Sequence, residues 1–304
     1  MTRNIYKTII LILLLLPTCS FAEQVVISNA PETITSGGIL YQLNNFSGKA
    51  RLIIHHKNMQ FTDITEEGNQ FSLIITPVNK QANVILVGGK DTSRSGYVAG
   101  VNSTNKYLEL TQAMPPSHLT TGESINNKLL ITKPVKILLG TAHRYEVFSI
   151  TGDIETDEPI NIQVIFGRAS YLAQGRSHHI AGIYRYNITA YDIKKDTTVS
   201  LGMSPYLTDP ITGHTNKGNY GITTKLKLSM SFKERKLTIS ARGGRAYVVL
   251  HIRSCLDTPE GSWVIVDLQA YESATYVLSK GEMTITTYPI PGSAYPVRLQ
   301  FKEN

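Results

Sequence analysis

Sulfur and tryptophan are scarce in this chain. It holds two cysteines, Cys19 and Cys255, and one tryptophan in 304 residues. Cys19 falls within an N-terminal leader, so cleavage would leave Cys255 alone and no intrachain disulfide could form. A disulfide-stapled fold is thereby excluded, and a lone thiol reads as a small apolar core residue. Long apolar runs are also missing. Ile9 to Leu16 is too short for a membrane span, which needs about 20 residues, and no later stretch is long enough. With Arg3 and Lys7 before it and Ser20-Phe21-Ala22 after it, that run reads as the core of a signal peptide over residues 1–22. The mature chain would start at Glu23 and carry no transmembrane span. Lipidation of Cys19 is the other reading of the leader's end, but Leu16-Pro17-Thr18 departs from the small residues of such signals. Acids are in the minority, 23 against 30 Lys and Arg, for a formal charge of +7. Arg3 and Lys7 contribute two of these, which leaves +5 after cleavage. A mild basic excess favours anionic surfaces or polymers and says nothing of fold. Nucleic acid is disfavoured, because the basic residues are spread out and the chain is exported.

Catalytic signatures are absent too. His55-His56 lies in an expected strand, where neighbours point to opposite faces and cannot share an ion. His178-His179 has no ligand partner at zinc spacing. Ser103-Thr104-Asn105-Lys106 matches Ser-x-x-Lys, but its companion Ser-Asp-Asn and Lys-Thr-Gly boxes are missing, so Ser103 reads as a helix cap or turn residue. Gly88-Gly89-Lys90-Asp91-Thr92 lacks phosphate-loop spacing. Asp153, Glu155, Asp157 and Glu158 lack the layout of a calcium loop and read as a solvated turn. No cofactor and no metal site is expected.

What the chain does have is alternation. Apolar residues follow period two through most of the sequence, in short runs bounded by Gly, Asn and Pro. In the first half, strands are expected at Val25–Ser28, Ile39–Asn44, Ala50–His56, Gln70–Pro77 and Val84–Gly88. Phe46-Ser47-Gly48-Lys49 reads as a turn, 88–100 as a loop, and 102–111 as a short helix. Further strands include Tyr145–Thr151 and Ile160–Phe166. The pattern lapses between Gly167 and Gly182, then strands resume. The expected fold is all-β, two β-sandwich-like domains with at most one short helix. Residues 23–167 form an N-terminal β domain, 168–182 a linker and 183–304 a C-terminal β-sandwich. The 16 tyrosines, Tyr184, Tyr186, Tyr271, Tyr276, Tyr288 and Tyr295 among them, read as fillers of half-buried sheet edges.

One stretch suggests a site. Leu237 to Leu250 is two alternating runs around Gly243-Gly244, the signature of a two-residue hairpin. In that register Leu237, Ile239, Ala241, Ala246, Val248 and Leu250 share one face, and Arg242 sits opposite Arg245. Like charges so placed repel, and a bound anion would reverse that term through two-pronged guanidinium contacts. Arg242 and Arg245 would anchor the anion, with Lys225, Lys227, Lys236 and Arg253 adding field.

Lys217-Gly218-Asn219-Tyr220-Gly221, followed by Ala241-Arg242-Gly243-Gly244, resembles a motif pair in a poorly characterised family of exported all-β proteins of spore-forming Gram-positive bacteria. Some members carry an appended module labelled after copper amine oxidase. The likeness spans about Gly38 to Phe301, with Gln42 and Leu43 standing where histidines are expected. The resemblance implies export and an envelope or extracellular role, and it assigns no catalytic or metal residues. The leading expectation is therefore a secreted or envelope-associated, non-enzymatic protein that binds an anionic cell-wall polymer or membrane surface. A carbohydrate-binding or carbohydrate-active sandwich is the first alternative; an active one needs two carboxylates about 5–10 Å apart. A self-associating structural surface protein is the second, and needs an apolar patch or open strand edge.

Overall fold

A computed structural model describes residues 23–303 except 31, 61–68, 113, 115–120, 169, 177–180, 195, 230, 232 and 255–260. The expected leader, His178-His179 and Cys255 lie outside the described residues. Among the described residues the chain is all-β with one helix, α1 (Gly96–Thr111).

The first body is one ten-stranded sheet folded over on itself. Its strands are β1 (Glu23–Ser28), β2 (Thr33–Ser36), β3 (Gly38–Asn58), β4 (Gln70–Pro77), β5 (Ala82–Ser93), β6 (Glu123–Ile131), β7 (Val135–Thr141), β8 (Val147–Phe166), β9 (Gln174–Arg176) and β10 (Gly182–Tyr186). β3 and β8 pair antiparallel from Gly38↔Phe166 to Lys57↔Val147, with register shifts near Ile39, Leu43 and Phe46. Such bulges bend a strand. The Val147–Thr156 half of β8 also pairs with β5, and the half from Ile160 pairs with β4. The same two strands therefore serve both layers, and Leu52, Ile54, Phe71, Leu73, Phe148 and Ile162 fill the space between.

The expected breaks at Phe46–Lys49 and Asp153–Glu158 do not occur; both segments lie inside long strands. Asn45 (φ 57°) and Gly48 (φ 82°) do adopt left-handed backbone. They use it to form bulges, not a chain reversal.

The second body is a sandwich. Its strands are β11 (Thr189–Ile193), β12 (Thr198–Leu201), β13 (Thr224–Leu228), β14 (Arg235–Ala241), β15 (Ala246–Ser254), β16 (Ser262–Leu268), β17 (Ser273–Leu278), β18 (Met283–Thr287) and β19 (Val297–Glu303). A five-stranded sheet, β11-β13-β18-β15-β16, faces a four-stranded one, β12-β19-β14-β17. The expected boundary is corrected. β9 and β10 pair with β2 and β1, so the first sheet takes in the expected linker and extends to Tyr186.

The expected hairpin is corrected as well. β14 pairs with β17 and β19, while β15 pairs with β16 and β18, so the Gly243-Gly244 bend carries the chain from one sheet to the other. Neither glycine has the positive φ of a type I′ turn. All six residues expected on one face do lie in the sandwich core. Alternation fixes which side is buried; it does not name the neighbouring strand.

The two bodies meet through α1. Ser95 caps its start, accepting from the Val98 N–H, so the helix begins before the expected 102. The expected loop at Gly88-Gly89 is part of β5 and forms the seat of the helix. A Cβ on Gly89 would lie 2.2 Å from Ser103 O. Ser103, Thr104 and Tyr107 hydrogen-bond to Ser149, Thr151 and Asp153, alternate residues of β8. Ser103 is thus a fully buried mid-helix residue, neither cap nor exposed nucleophile. On its other side α1 presents Val101 and Leu108 to Tyr247, Val249, Tyr288 and Ile290 of the second body. The amide of Asn105 donates to Tyr247 Oη at 2.8 Å. Gly100 lets Pro291 come within contact of the helix backbone.

Gly89→Ala and Gly100→Ala should each lower stability by about 1–3 kcal/mol, as overpacking does. An added Cβ would meet Ser103 O at 2.2 Å in one and Pro291 O at 2.0 Å in the other. Gly243→Ala, with nothing within 4 Å, should stay within about 0.5 kcal/mol of wild type. Denaturant unfolding of the three variants measures this.

Candidate functional site

The expected anion anchor is not assembled. Arg242 is exposed in the bend. Arg245 makes a two-pronged ion pair, Nε to Asp267 Oδ1 at 3.0 Å and Nη2 to Oδ2 at 2.6 Å. Its guanidinium also lies 4.1 Å from the centre of the Tyr97 ring. The carboxylate that sequence reasoning did not place beside Arg245 comes from β16, in register with Tyr247. Lys225, Lys227 and Arg253 point outward from the five-stranded sheet, Lys227 and Arg253 on either side of Thr284, with Asp192 in register beside Lys227. Lys236 belongs to the four-stranded sheet and points out of the sandwich on the opposite side. The six residues do not converge on one concave face.

A hollow of about 810 Å³ lies at the C-terminal end of α1 and is lined in part by Glu23, Lys49, Arg51, Tyr107, Asp153 and Glu155. Asp153 and Glu155 are two positions apart on one face of β8, the kind of pair that a glycosidase would need. Asp153, however, accepts from Tyr107 Oη at 3.0 Å and from Lys49 Nζ at 3.3 Å. Both of its oxygens are committed to donors within the fold. Arg51 is committed too: it donates to Gly221 O at 2.7 Å and stacks 4.1 Å from the Tyr288 ring. The hollow is a structural joint.

A second cleft, about 630 Å³, opens at the junction of the bodies. Its floor is the outward side of two paired strands of the first body, with Ile27 and Asn29 from β1 and its end, and Ile53 and His55 from β3. One wall is the 213–217 loop with Tyr220; the other is Pro291 to Tyr295. The expectation that His55 and His56 face apart holds. His56 Nε2 lies 2.9 Å from Ser28 Oγ, while His55 Nδ1 lies 3.2 Å from Ser149 Oγ on the helix-facing side. The walls are held by local bonds. Asn216 closes its loop with two bonds to Tyr220, Nδ2 donating to O and Oδ1 accepting from N. Tyr220 Oη donates to Ser293 O at 3.1 Å, and its ring meets Tyr295 edge-on at 6.0 Å. Burial pushes the Tyr220 phenol up to about 12, so it is a neutral donor. Asn29 is 9 % exposed, and its Oδ1 has no hydrogen-bond partner.

Sequence reasoning missed this cleft as a site, although Lys217 and Tyr220 belong to the motif that carries the resemblance. Of the tyrosines, Tyr184 and Tyr186 are buried, Tyr220 and Tyr295 shape the cleft, and Tyr271 is 78 % exposed on its own. They form no open aromatic row. Among the described residues, no group of three His, Cys, Asp or Glu is placed to hold a metal ion. No described helix is long and apolar enough to cross a membrane.

No family model matches this chain, and no curated protein matches it. Among solved structures, it is similar to the N-terminal tandem of carbohydrate-binding modules CBM22-1 and CBM22-2 of Xyn10C from Paenibacillus barcinonensis. Identity is 10 %, with 89 % of this chain and 99 % of that chain covered, and the TM-score is 0.21. At that score the likeness carries no weight for fold or ligand.

The Arg245–Asp267 pair predicts a pH effect. Arg245 holds the Asp267 carboxyl below its ordinary 3.8, and the Tyr97 hydroxyl, donating at 2.5 Å, adds to this. A lowered folded-state value stabilises above the unfolded value, and the gain is lost as pH falls through the folded one. Asp267→Asn should therefore cost about 0.5–1 kcal/mol at neutral pH, the size of a solvent-screened pair. The difference from wild type should close as the medium is taken well below pH 3.8. Urea unfolding across that range measures it.

Proposed function

We propose that this is an exported, non-catalytic binding protein that holds a carbohydrate in the cleft between its two bodies. The observation that carries this reading is the cleft's lining: hydrogen-bonding side chains, with Glu32 and Lys217 of opposite charge among them, and two tyrosines on a preformed junction. Ligand sites favour such junctions and have volumes of about 300–1,000 Å³. Tyrosines offer a flat apolar face with a polar tip, which suits a sugar ring. Among the described lining residues Glu32 is the one carboxylate, whereas glycoside hydrolysis uses two. The leader at residues 1–22 and the resemblance through Lys217–Gly221 support export to the envelope or beyond.

This reading replaces the basic hairpin with a site whose affinity should not depend on salt. The mature chain should be retained on insoluble cell-wall glycan equally at low and high ionic strength, and soluble oligosaccharide should elute it. Screening would release a charge-driven contact. Thr215→Trp, which fills the cleft from its wall, should abolish retention while leaving the unfolding curve in place. Retention that falls with salt and survives Thr215→Trp would instead restore an anionic-polymer partner and remove the cleft.

A further inference from the structure

One border of the first sheet is open. β6 pairs with β5 on one side, and no described residue hydrogen-bonds to its backbone on the other. The β5–β6 ladder runs from Ala82↔Ile131 to Lys90↔Glu123 without a shift in register. β6 therefore has no bulge, and it has no proline. Edges are usually blunted by such devices or by charge. Between its end residues β6 carries a single charge, Lys128, on the outward side. Leu130, two positions on, is 61 % exposed.

The inward side has a polar residue at its centre. Ile125 and Ile131 are buried in the core, and Leu129 packs against it. Asn127 stands between Ile125 and Leu129 on that same side, in register with Leu86. It is half-buried, and its amide makes no side-chain hydrogen bond to a described residue. An amide both donates and accepts, so a second amide satisfies it.

The order of residues in β6 is self-complementary about Asn127. Take two copies paired antiparallel across a two-fold axis through that residue. Ile125 then meets Leu129 on the inward side, and Asn127 meets its own copy. Outward, Ser124 meets Leu130 and Asn126 meets Lys128. Antiparallel partners share a face, so each core stays inside. Neighbouring axes are worse. An axis at Lys128 opposes two ammonium groups and sets Asn127 against Leu129. An axis at Asn126 sets Asn127 against Ile125, and one at Leu129 sets it against Ile131. A single polar residue in an apolar seam fixes register in just this way in coiled coils.

We propose that a second copy of this chain pairs along β6, forming a two-fold dimer centred on Asn127. The proposal stands apart from the carbohydrate reading but bears on it. β3, β8 and β5 lie between β6 and β1, whose outward side floors the cleft. The dimer carries two clefts, and a polymer with repeated sites gains avidity from both.

Sedimentation velocity of the mature chain over a concentration series tests this. A closed monomer–dimer equilibrium is expected, because an isologous contact uses up its own edge. Asn126→Lys sets a new ammonium opposite the partner subunit's Lys128 on both sides of the axis, and should weaken the dimer about tenfold. Asn126→Asp sets a carboxylate there and should strengthen it by a similar factor. Asn126 is exposed, so neither change should move the unfolding curve. Amide exchange over 124–130 should slow as the dimer fills. Monomer at every concentration overturns the proposal. So do assemblies larger than a dimer, a dimer that does not respond in opposite directions to the two variants, and exchange at 124–130 that ignores dimerisation. None of these outcomes touches the cleft, whose own test is retention on glycan.

Discussion

The structure depends on one wedge. Helix α1 is poor in intrinsic helix formers, with Gly96, Gly100, Asn102, Ser103, Thr104 and Asn105 in its first ten residues. It holds its shape because both long sides are occupied. Hydroxyls and a phenol meet alternate residues of β8 on one side, and Val101 with Leu108 meets the second body on the other. Glycines in β5 and in the helix let backbones approach where a side chain would push them apart. The outer face of the first sheet is thereby a second interior. β1 accordingly reads Val-Val-Ile without alternation, buried on both sides.

That explains what was legible in the sequence and what was not. Period two located most strands and the inward faces, including all six core positions around Gly243-Gly244. It failed wherever a local signal served a non-local end. Gly48 and Asn45 look like a turn and act as a bulge. Gly88-Gly89 looks like a loop and is a strand surface that seats a helix. Gly243-Gly244 looks like a hairpin and crosses between sheets. In each case the glycine was visible, and the element that decides its role was not its neighbour in sequence. The cleft was invisible for the same reason: Asn29, His55, Tyr220 and Ser293 are brought together by pairing and by the junction, with no spacing in common.

Charge follows a similar logic. The mild basic excess suggested a field, yet the residues chosen for it divide between opposite outer sides of a sandwich. Of those residues, Arg245 is held by Asp267 and the Tyr97 ring. Tyr97 belongs to α1, so this ion pair is a further tie between the bodies. Arg51 does comparable work on the other side, bonded to Gly221 O and stacked on Tyr288. Both cationic contacts tie the bodies together.

The long β3–β8 ladder has a consequence in time. It joins Gly38 to Phe166 at one end, and β1 finds its antiparallel partner only in Gly182–Tyr186. Pairings so distant along the chain form slowly, because much loop entropy must be given up before the contacts return it. Until Tyr186 is made, the first body lacks a border strand and its core stays open to water. The first body therefore cannot close until the chain has been made well past its midpoint, because its border strand lies at 182–186.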